Sequence, residues 1–396
     1  MWSTHTCDDY ISLTVHYINK DFEHESVCLE VAPFTGTMHT SANINKVLKH
    51  DLLHKWNIEN KVNLVVCDNT ANTVCAMGAA NGSHFQYSTY SAIGDEPTWW
   101  SSTYLIVERL LEQQRAIIWL LPDIDLQTDL SSQDWNLLEQ VYRSLKIFHV
   151  ATVSISSKET TITEVIPIVK GLKRLTQTWQ KRGARKEIVH SLSQWFKNME
   201  QNKFYIIATF LDPRFKQSVF SLTSLAETAK EDLLAEIPPE DAERIELQPN
   251  QQACMKLTTT WETTPAGHCD PLAYWKTSPF HMLKKLAVKY LSAPVGSVAS
   301  ERLCSTAGLT FTHKRSQIDQ NQLRQLVFLN KNLHFLKSLV PTSNASYIAG
   351  EPHYPCESHL LSLCRALTEV FSHHEVGHWA QATVRCSCGL RMRSIS

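Results

Sequence analysis

The chain has 396 residues, of which 43% are hydrophobic and 9% aromatic, enough apolar material for two or three folded domains. Its 38 lysines and arginines balance 39 aspartates and glutamates, so no overall positive field would hold the whole protein on nucleic acid or on an anionic membrane. Its 11 cysteines form no C-x-x-C pair, and no apolar run approaches the ~20 residues of a membrane span. These features predict a soluble, intracellular, thiol-reduced protein without a membrane partner.

A β-hairpin is the first predicted element. Apolar and polar residues alternate over 10–18 and again over 26–31, which is typical of half-buried strands. The polar residues 19–25 between the two runs predict their connection. We therefore expect the fold to begin with a meander of antiparallel strands.

A helix and a third strand are predicted next. Apolar residues at helical spacing begin at Ile44, behind a good N-cap at Thr40. The β-branched run 62–67 then predicts a buried strand, and Asp68 follows it directly. A carboxylate at the end of a buried strand is where α/β folds place chemistry, but it is also where an aspartate caps the next helix. The local pattern leaves both roles open for Asp68.

The rest of the chain is predicted to be mainly helical. Apolar residues recur at helical spacing over 103–203. The interval 226–251 is polar and acidic, which predicts a linker or a solvated helix. Helices are predicted again over 278–335, and the periodicity is lost after Val340.

Two patterns near the C-terminus could bind zinc. The segment His374–His378 matches H-E-x-x-H, which on a helix places two imidazoles on one face with a glutamate as base. Gly377 weakens such a helix, and the pattern arises readily in a chain with 18 histidines. A second candidate set consists of the nearby cysteines, which include a weak C-x-C pattern: Cys356, Cys364, Cys386 and Cys388. A poorly structured tail is the favoured interpretation of both, and we assign no metal site.

A basic run could contact the phosphates of DNA. Lysines and arginines recur over 170–186 and make a local positive field. The alternative, that they form the solvated face of a helix, is at least as well supported. The candidate DNA-binding residues are Lys173, Arg174, Lys181, Arg182, Arg185 and Lys186.

Three blocks of the sequence carry a family resemblance. They are Met1–Ser3 with Val65–Asn72, then Ala208–Lys216 with Asp270–Trp275, and then Lys289–Gly308, which continues through Lys314-Arg315 to Leu326–Asn330. In these blocks the chain resembles the hAT superfamily of cut-and-paste DNA transposases. The resemblance is greatest to the BED-zinc-finger proteins that host genomes have domesticated from those transposases. The third block is the most specific of the three.

The resemblance implies an α/β fold class. The implied fold has a truncated ribonuclease-H-like core with a mixed sheet, interrupted by a large all-helical insertion, and it ends in C-terminal hAT dimerisation helices. The expected boundaries are 1–98 for the first part of the core, 99–225 for the insertion, 226–277 for a polar linker and connecting helices, 278–338 for the dimerisation region and end of the core, and 339–396 for a poorly structured tail.

The resemblance also implies a catalytic set. In working relatives three carboxylates hold Mg²⁺ or Mn²⁺ ions that activate a nucleophile and stabilise the departing oxygen of a phosphoryl displacement. By position Asp68 is the second carboxylate and Glu301 the third. The first stands, in the family, two residues before the tryptophan of the opening strand, which is Trp2 here. It is therefore expected to be absent, and Asp68 and Glu301 to be vestigial.

No cofactor is expected in this chain. Zinc would belong to the BED finger, a zinc module that would grip DNA in the family and that is expected to be absent here. Mg²⁺ or Mn²⁺ would be bound if the active site were complete. The Cys-x-x-His segment that the family carries after the position of Asn72 is also expected to be missing, which puts the stability of the shortened core in question.

The C-terminal region is expected to dimerise. Its helices contain more apolar residues than two or three helices usually bury within one chain, and obligate interfaces are hydrophobic in this way. The alternative is that these helices pack on the chain's own sheet, and in the family both are partly true. The candidate dimerisation residues are Leu291, Val298, Leu303, Leu323, Leu326, Val327 and Leu329.

Three functional hypotheses remain. In the first, a catalytically inactive hAT-derived protein acts in the nucleus as a homodimer, or with a related hAT-family protein, and associates with DNA or chromatin. It has no small-molecule substrate. In the second, the chain is a fragment of a metal-dependent DNA transposase whose longer form supplies the lost aspartate. The deletion after Asn72 also supports a third hypothesis, a sequence without function.

Overall fold

The computed structural model describes a defined set of residues, which fall into two compact units. We call Met1–Tyr90, Thr161–Ile166 and Asn198–Ser396 the sheet unit, and Ser91–Thr160 with Pro167–Lys197 the helical unit. The described residues are 2–3, 9–34, 40–59, 61–67, 72–73, 75–76, 97–120, 130–157, 160–180, 186–237, 269–296, 298–300, 302–303, 306, 320–339 and 380–386. The predicted insertion, 99–225, is too long at its C-terminal end, because residues 198–225 belong to the sheet unit.

A mixed sheet organises the sheet unit. Strand β2 is antiparallel to β1, β3 and β5, whereas β4 is parallel to β5. Because β3 pairs along one edge of β2, strands β1 and β5 share its other edge. The five strands are β1 (Trp2–Ser3), β2 (Asp9–Ile18), β3 (His24–Pro33), β4 (Val62–Val66) and β5 (Ala380–Cys386). The predicted strands over 10–18, 26–31 and 62–67 are confirmed.

The last strand corrects the prediction for the C-terminus. Residues 339–396 were expected to be a poorly structured tail, and that expectation is wrong for Ala380–Cys386. This segment forms β5 and lies between β2 and β4. Its alternation of small and polar residues gives little hydrophobic signal, so the pairing partners rather than the local sequence determine the strand.

The turn of the β2–β3 hairpin is built around Asn19. The side-chain oxygen of Asn19 accepts hydrogen bonds from the backbone N–H groups of Asp21 and Glu23, both at 2.9 Å. Asparagine favours turns because its side chain can replace a backbone acceptor in this way. The tip residue Phe22 has φ 62°, and the ammonium of Lys284 lies 4.6 Å from the centroid of its ring.

The helix before β4 starts where the sequence predicts and then widens. The side chain of Thr40 accepts a hydrogen bond from the N–H of Asn43 at 3.4 Å and caps α1 (Ser41–Lys46). A π-helical segment, Val47–Leu53, continues the helix, which the apolar spacing did not reveal. It ends in a turn in which Asn57 has φ 51°.

The core of the sheet unit lies on both faces of the sheet. The larger cluster joins one face of β2 to α1, the π-helical segment and β4, and it includes Ile11, Leu13, Val15, Leu29, Ile44, Leu48, Leu52 and Val65. The smaller cluster is formed by Tyr10, Cys28, Val31, Leu303 and Val327. Buried apolar surface of this kind contributes about 25 cal/mol per Å² to folding, so both clusters stabilise the sheet.

The remaining helices complete the two units. In chain order they are α2 (Pro97–Glu112), α3 (Gln114–Leu120), α4 (Ser132–Ile155), α5 (Val165–Gln180), α6 (Lys186–Trp195), α7 (Lys203–Leu211), α8 (Thr223–Ala235), α9 (Pro271–Thr277), α10 (His281–Leu291) and α11 (Gln320–Leu339). In the part of the chain that the structure describes, no helix combines the length and apolar character that a bilayer crossing needs.

Candidate functional site

The predicted catalytic residues fall next to described elements. Strand β4 ends at Val66, and the following residue, Cys67, is buried, so a buried strand does precede Asp68 as predicted. Ser300, which directly precedes Glu301 in the sequence, is fully buried, and among the described residues its hydroxyl has no hydrogen-bond partner. Asp68 and Glu301 themselves lie outside the described residues, so their catalytic roles stay predictions.

Strands β1 and β5 lie end to end along one edge of β2. Trp2 of β1 pairs with Tyr10, and the next residue of β2, Ile11, pairs with Cys386 of β5. The residue of β2 after that, Ser12, pairs with Arg385. Strand β5 therefore continues along the edge of β2 on which β1 lies.

Strands β4 and β5 supply no carboxylate ligand for a divalent metal ion. Strand β4 reads VNLVV and β5 reads AQATVRC, so neither contributes a carboxylate. Mg²⁺ and Mn²⁺ need several anionic oxygen ligands from separate elements. Among the described residues, no group of three or more histidine, cysteine or acidic side chains is placed to hold a metal ion.

The predicted dimerisation residues divide into two groups. Leu291, Leu303 and Val327 are each 1% exposed and Leu329 is 6% exposed, so these four belong to the interior of the single chain. Packing on the chain's own sheet, the alternative interpretation, accounts for them. Val298 and Leu326 are half-buried, and Leu323 lies in α11 with its side chain outside the described residues.

Helix α11 is joined to the edge strand β3 by a side-chain amide. Asn332 accepts a hydrogen bond from the N–H of Cys28 at 3.0 Å and donates one to the carbonyl of Cys28 at 2.7 Å. Both groups are buried, and leaving them unpaired would cost free energy. A single asparagine thus replaces the neighbouring strand that β3 lacks at this point among the described strands.

A buried carboxylate joins the same helix to the sheet. The side chain of Glu30 on β3 is 5% exposed and accepts hydrogen bonds from Lys55, at 2.5 Å, and from Arg324 of α11. Two cations offset the cost of taking this carboxylate out of water. The residue therefore determines how α11 and the turn after the π-helical segment pack on β3.

One of the family blocks, Ala208–Lys216, forms a second buried network with Thr163 and Glu164. Asp212 is fully buried and accepts hydrogen bonds from the hydroxyl of Thr163 at 2.7 Å and from the N–H of Arg214 at 2.9 Å. The guanidinium of Arg214 also pairs with Asp212 and, at 3.0 Å, with Glu164. Burial alone would lower the pKa of Arg214, but the hydrogen bonds and charges of these carboxylates raise it above its ordinary value.

A tryptophan connects this network to the next block. The indole N–H of Trp275 donates to the carbonyl of Leu211 at 2.9 Å, and Trp275 is fully buried. This contact brings Ala208–Lys216 and Asp270–Trp275 together.

A third network centres on Glu236, which sequence reasoning assigned to a polar linker. Its carboxylate accepts hydrogen bonds from Lys289 at 2.8 Å and from the hydroxyl of Tyr290 at 2.5 Å. Burial alone would raise the pKa of Glu236, but these two hydrogen bonds, with the charges of Lys289 and Lys203, lower it. The network joins the end of α8 to α10.

Most of the candidate DNA-binding and zinc-binding residues lie outside the described residues, so their roles stay predictions. Lys173 is half-buried and donates to the carbonyl of Phe196 at 3.4 Å, whereas Arg174 is exposed. Lys186 starts α6, and its side chain lies outside the described residues. Also outside them are Lys181, Arg182 and Arg185, the H-E-x-x-H segment, Cys356, Cys364 and Cys388.

Two family descriptions match the chain. Residues 1–81 match the ZBED1 RNase-like domain, and residues 251–333 match the hAT family C-terminal dimerisation region. In these two regions the chain is similar to hAT-derived proteins. The first match contains β1 to β4 and the second contains α9, α10 and most of α11, so the two matched regions are those that Asn332 and Arg324 join.

The chain is also similar to curated zinc finger BED domain-containing proteins. Human zinc finger BED domain-containing protein 4 is 28% identical over 285 residues, which cover 61% of this chain and 24% of the relative. Mouse zinc finger BED domain-containing protein 6 is 27% identical over 306 residues, covering 60% of this chain and 31% of the relative. The human protein 6 is 25% identical over 307 residues, with the same coverage. The chain therefore matches less than a third of the length of these relatives.

Proposed function

We propose that this chain is a dimerising hAT-derived protein that acts in the nucleus, in association with DNA or chromatin, and does not itself cut DNA. The observation that carries the proposal is the match of residues 251–333 to the hAT dimerisation region. The helices of that region are fastened to the sheet by buried polar contacts, the Asn332 amide and the Glu30–Arg324 pair. A fixed helix is suited to presenting a surface to a partner.

The exposed part of α11 supplies the surface that we expect to contact the partner. Leu326, Asn330 and Leu333 recur at helical spacing and therefore share one face of α11. Leu333 is 40% exposed and Leu326 is half-buried. The four fully buried candidates would hold α11 in position, and Leu333 and Leu326 would lie at the interface, where burial of apolar surface favours association.

The register of β5 supports the proposal that the chain does not itself cut DNA. The place opposite Ser12 belongs to Arg385. A cationic residue at that place opposes the binding of a divalent metal ion. Because neither β4 nor β5 adds a carboxylate to Asp68 and Glu301, we expect no two-metal phosphoryl transfer.

The nuclear role rests on the relatives. Their printed names describe zinc finger proteins with BED domains, and zinc fingers commonly serve as DNA-binding modules. The near-neutral composition of this chain provides no overall attraction to DNA. Association with chromatin would then depend on the partner in the dimer, or on a local patch such as the one around Arg174.

Sedimentation velocity of the 396-residue chain tests the dimer. We expect a dimer at micromolar concentration, conversion to monomer by Leu333→Glu, and retention of the dimer by Gln325→Glu. The control adds the same charge to an exposed position of α11 without removing an apolar contact. Circular dichroism would verify that both variants are folded. A wild-type chain that sediments as a monomer across this range would overturn the proposal.

A DNA-cleavage assay with Mg²⁺ or Mn²⁺ tests the proposal that the chain does not cut DNA. We expect no cutting of duplex DNA above background by the wild-type chain. Metal-dependent cutting that Asp68→Ala abolishes would contradict the proposal and would favour the second hypothesis, a fragment of a DNA transposase.

A further inference from the structure

The C-terminal strand β5 lies between β2 and β4 in the middle of the sheet. We call the position between these two strands the slot. Strand β5 pairs through Gln381–Cys386 with residues 11–16 of β2 on one side and with β4 on the other. Among the described strands, β4 pairs with β5 alone. The contact of β4 with the rest of the sheet therefore runs through seven residues from the far end of the chain.

The slot can accept any extended segment whose backbone pairs with both β2 and β4. The backbone N–H and C=O groups along the facing edges of β2 and β4 require partners, because buried backbone groups are almost always paired. An extended segment that runs antiparallel to β2 and parallel to β4 satisfies both edges at once. Strand addition of this kind depends mainly on main-chain hydrogen bonds, so the chain that supplies the strand is not specified by the slot itself.

The connection to β5 does not restrict it to its own sheet. Helix α11 ends at Leu339 and β5 begins at Ala380, so residues 340–379 join them. Fully extended, a segment of that length would span on the order of 130 Å. That distance is several times the diameter of a folded domain of this size, so a β5 strand can reach the slot of an associated molecule as well as its own.

Dimerisation through the matched region would bring two such strands together. The hAT dimerisation match ends at residue 333, close to the end of α11 where the connection to β5 begins. Once two chains associate there, the effective concentration of the partner's strand at the slot becomes comparable to that of the chain's own strand. The exchanged arrangement keeps each β5 hydrogen bond and adds contacts between the copies, which is how domain-swapped dimers form at low cost.

We propose that two copies of this chain exchange β5, so that residues 380–386 of each complete the sheet of the other between β2 and β4. This inference rests on the dimer of the proposed function. It adds that the two copies are also joined by the exchange of their C-terminal strands. It also assigns residues 380–386 a role as an interaction element.

Cysteine pairs across β2 and β5 test the exchange. Thr14 and Thr383 are register partners, and directly opposed residues have Cβ atoms about 4.5–5.5 Å apart, near the range that a disulfide bridges. Cys28 of β3 is also a register partner of Thr14 and could form a disulfide with a cysteine at that position, so the cysteine variants would also carry Cys28→Ser. Thr14→Cys chains and Thr383→Cys chains would be mixed, unfolded, refolded together and mildly oxidised. Because each chain carries one of the two cysteines, the new disulfide can form only between copies. We expect a covalent dimer on a non-reducing gel that a reducing agent removes.

The matched control is Thr14→Cys refolded with the wild-type chain, which reports any cross-linking through the native cysteines. The double variant Thr14→Cys/Thr383→Cys, oxidised alone, shows whether β5 lies beside β2, either within one chain or between two copies. Sedimentation of the reduced mixture reports dimerisation independently of the disulfide.

Three results would overturn the exchange in distinguishable ways. A dimer whose double variant forms the disulfide only within each chain would leave the proposed function standing and show that β5 stays in its own sheet. A monomer with the same internal disulfide would contradict both proposals. A disulfide in neither sample would show that β5 does not occupy the slot.

Discussion

The two units of the molecule place their charges differently. In the sheet unit the carboxylates of Glu30 and Asp212 are 5% and 0% exposed and are held by specific cations. In the helical unit the described pairs Arg109–Glu112 and Arg143–Glu139 have side chains that are 50% to 73% exposed. Exposed pairs contribute little to stability, whereas breaking a buried pair leaves an uncompensated charge. The buried ion pairs therefore specify which elements meet in the sheet unit, whereas these two described pairs of the helical unit each lie within one helix.

The helical unit relies instead on aromatic and apolar contacts. The ring of Tyr104 on α2 stacks on those of Tyr142 and His149 on α4, with centroid distances of 5.4 Å and 4.3 Å. Around them, large apolar side chains stay exposed on the described helices, including Trp119 and Trp195, each 77% exposed. We expect substitutions at charged residues to have large effects in the sheet unit and small ones in the helical unit.

The largest expected effect is that of Asp212→Ala. Removing this carboxylate leaves Arg214, Thr163 and a backbone N–H without their buried acceptor, so we expect the free energy of unfolding to fall by about 3–5 kcal/mol. Urea denaturation followed by tryptophan fluorescence would measure it. Glu139→Ala, which removes an exposed pair, should change the value by less than about 0.5 kcal/mol. Equal losses in the two variants would contradict the comparison.

A smaller loss is expected for Glu30→Gln. The neutral amide cannot balance Lys55 and Arg324, but both cations are partly exposed and can be hydrated again. We therefore expect a loss of about 2 kcal/mol, together with faster amide hydrogen exchange in α11. Unchanged exchange in α11 would show that this carboxylate does not fasten the helix.

Asn332→Ala should also loosen α11. The substitution leaves the buried N–H and C=O of Cys28 unpaired, which we expect to cost about 1–3 kcal/mol. Thermal unfolding would detect the loss. Asn330→Ala changes the same residue type at an exposed position of the same helix and should leave the midpoint within about 1 °C of wild type. Since alanine favours the helix more than asparagine does, an equal loss in both variants would show that the contact with β3 is not the cause.

Acid should destabilise the sheet unit selectively. Burial, with a contribution from Lys331, lowers the pKa of His16 from 6.5 to about 3. Burial, opposed by Asp270, lowers the pKa of His24 to about 4. Below pH 6.5 the unfolded chain binds protons that the folded chain does not, so stability is fully present above pH 6.5 and falls as the pH decreases towards 4. The slope is about 1.4 kcal/mol per pH unit for each histidine.

Unfolding midpoints between pH 7.5 and pH 4.5 would measure this slope. His16→Gln should make it shallower, whereas His190→Gln, at an exposed position of the helical unit, should leave it unchanged. A slope that is the same in all three proteins would show that burial of His16 is not its cause.

The smallest effect is expected at a helix cap in the helical unit. The hydroxyl of Ser131 accepts from the N–H of Asp134 at 3.3 Å, and Asp134 accepts in return from the N–H of Ser131 at 2.9 Å. Ser131→Ala should therefore cost about 1 kcal/mol, and Ser131→Thr should restore most of it. Loss of helicity by circular dichroism would accompany the change, and an unchanged midpoint would show that the cap does not limit stability.

Local periodicity predicted the first elements of the sheet unit well. The hairpin, the capped helix after Thr40 and the strand before Asp68 each have a pattern that its own residues determine. The π-helical segment was missed because one extra residue per turn does not change the apolar composition. Strand β5 was missed because its partners on β2 lie more than 360 residues away in the sequence.

The polar networks illustrate what one sequence does not disclose. Asp212 stands in a block that the family resemblance identified, but its partner Thr163 comes from a segment outside the three blocks. Trp275 and Leu211 both stand in such blocks, yet 64 residues separate them in the sequence. Glu236 was assigned to a linker because its neighbours in the sequence are polar, whereas Lys289 and Tyr290 contact it from α10. Roles that depend on contacts between distant segments could not be deduced from spacing.

The amide of Asn332 has a consequence for how molecules meet one another. A strand with a bare outer edge is a template on which further chains can add, and such addition has no natural end. At Cys28 the outer edge of β3 is already saturated by a side chain of the same molecule, so an incoming chain would have to dislodge it. Growth into fibrils along this edge is interrupted near its middle, and assemblies of finite size are favoured.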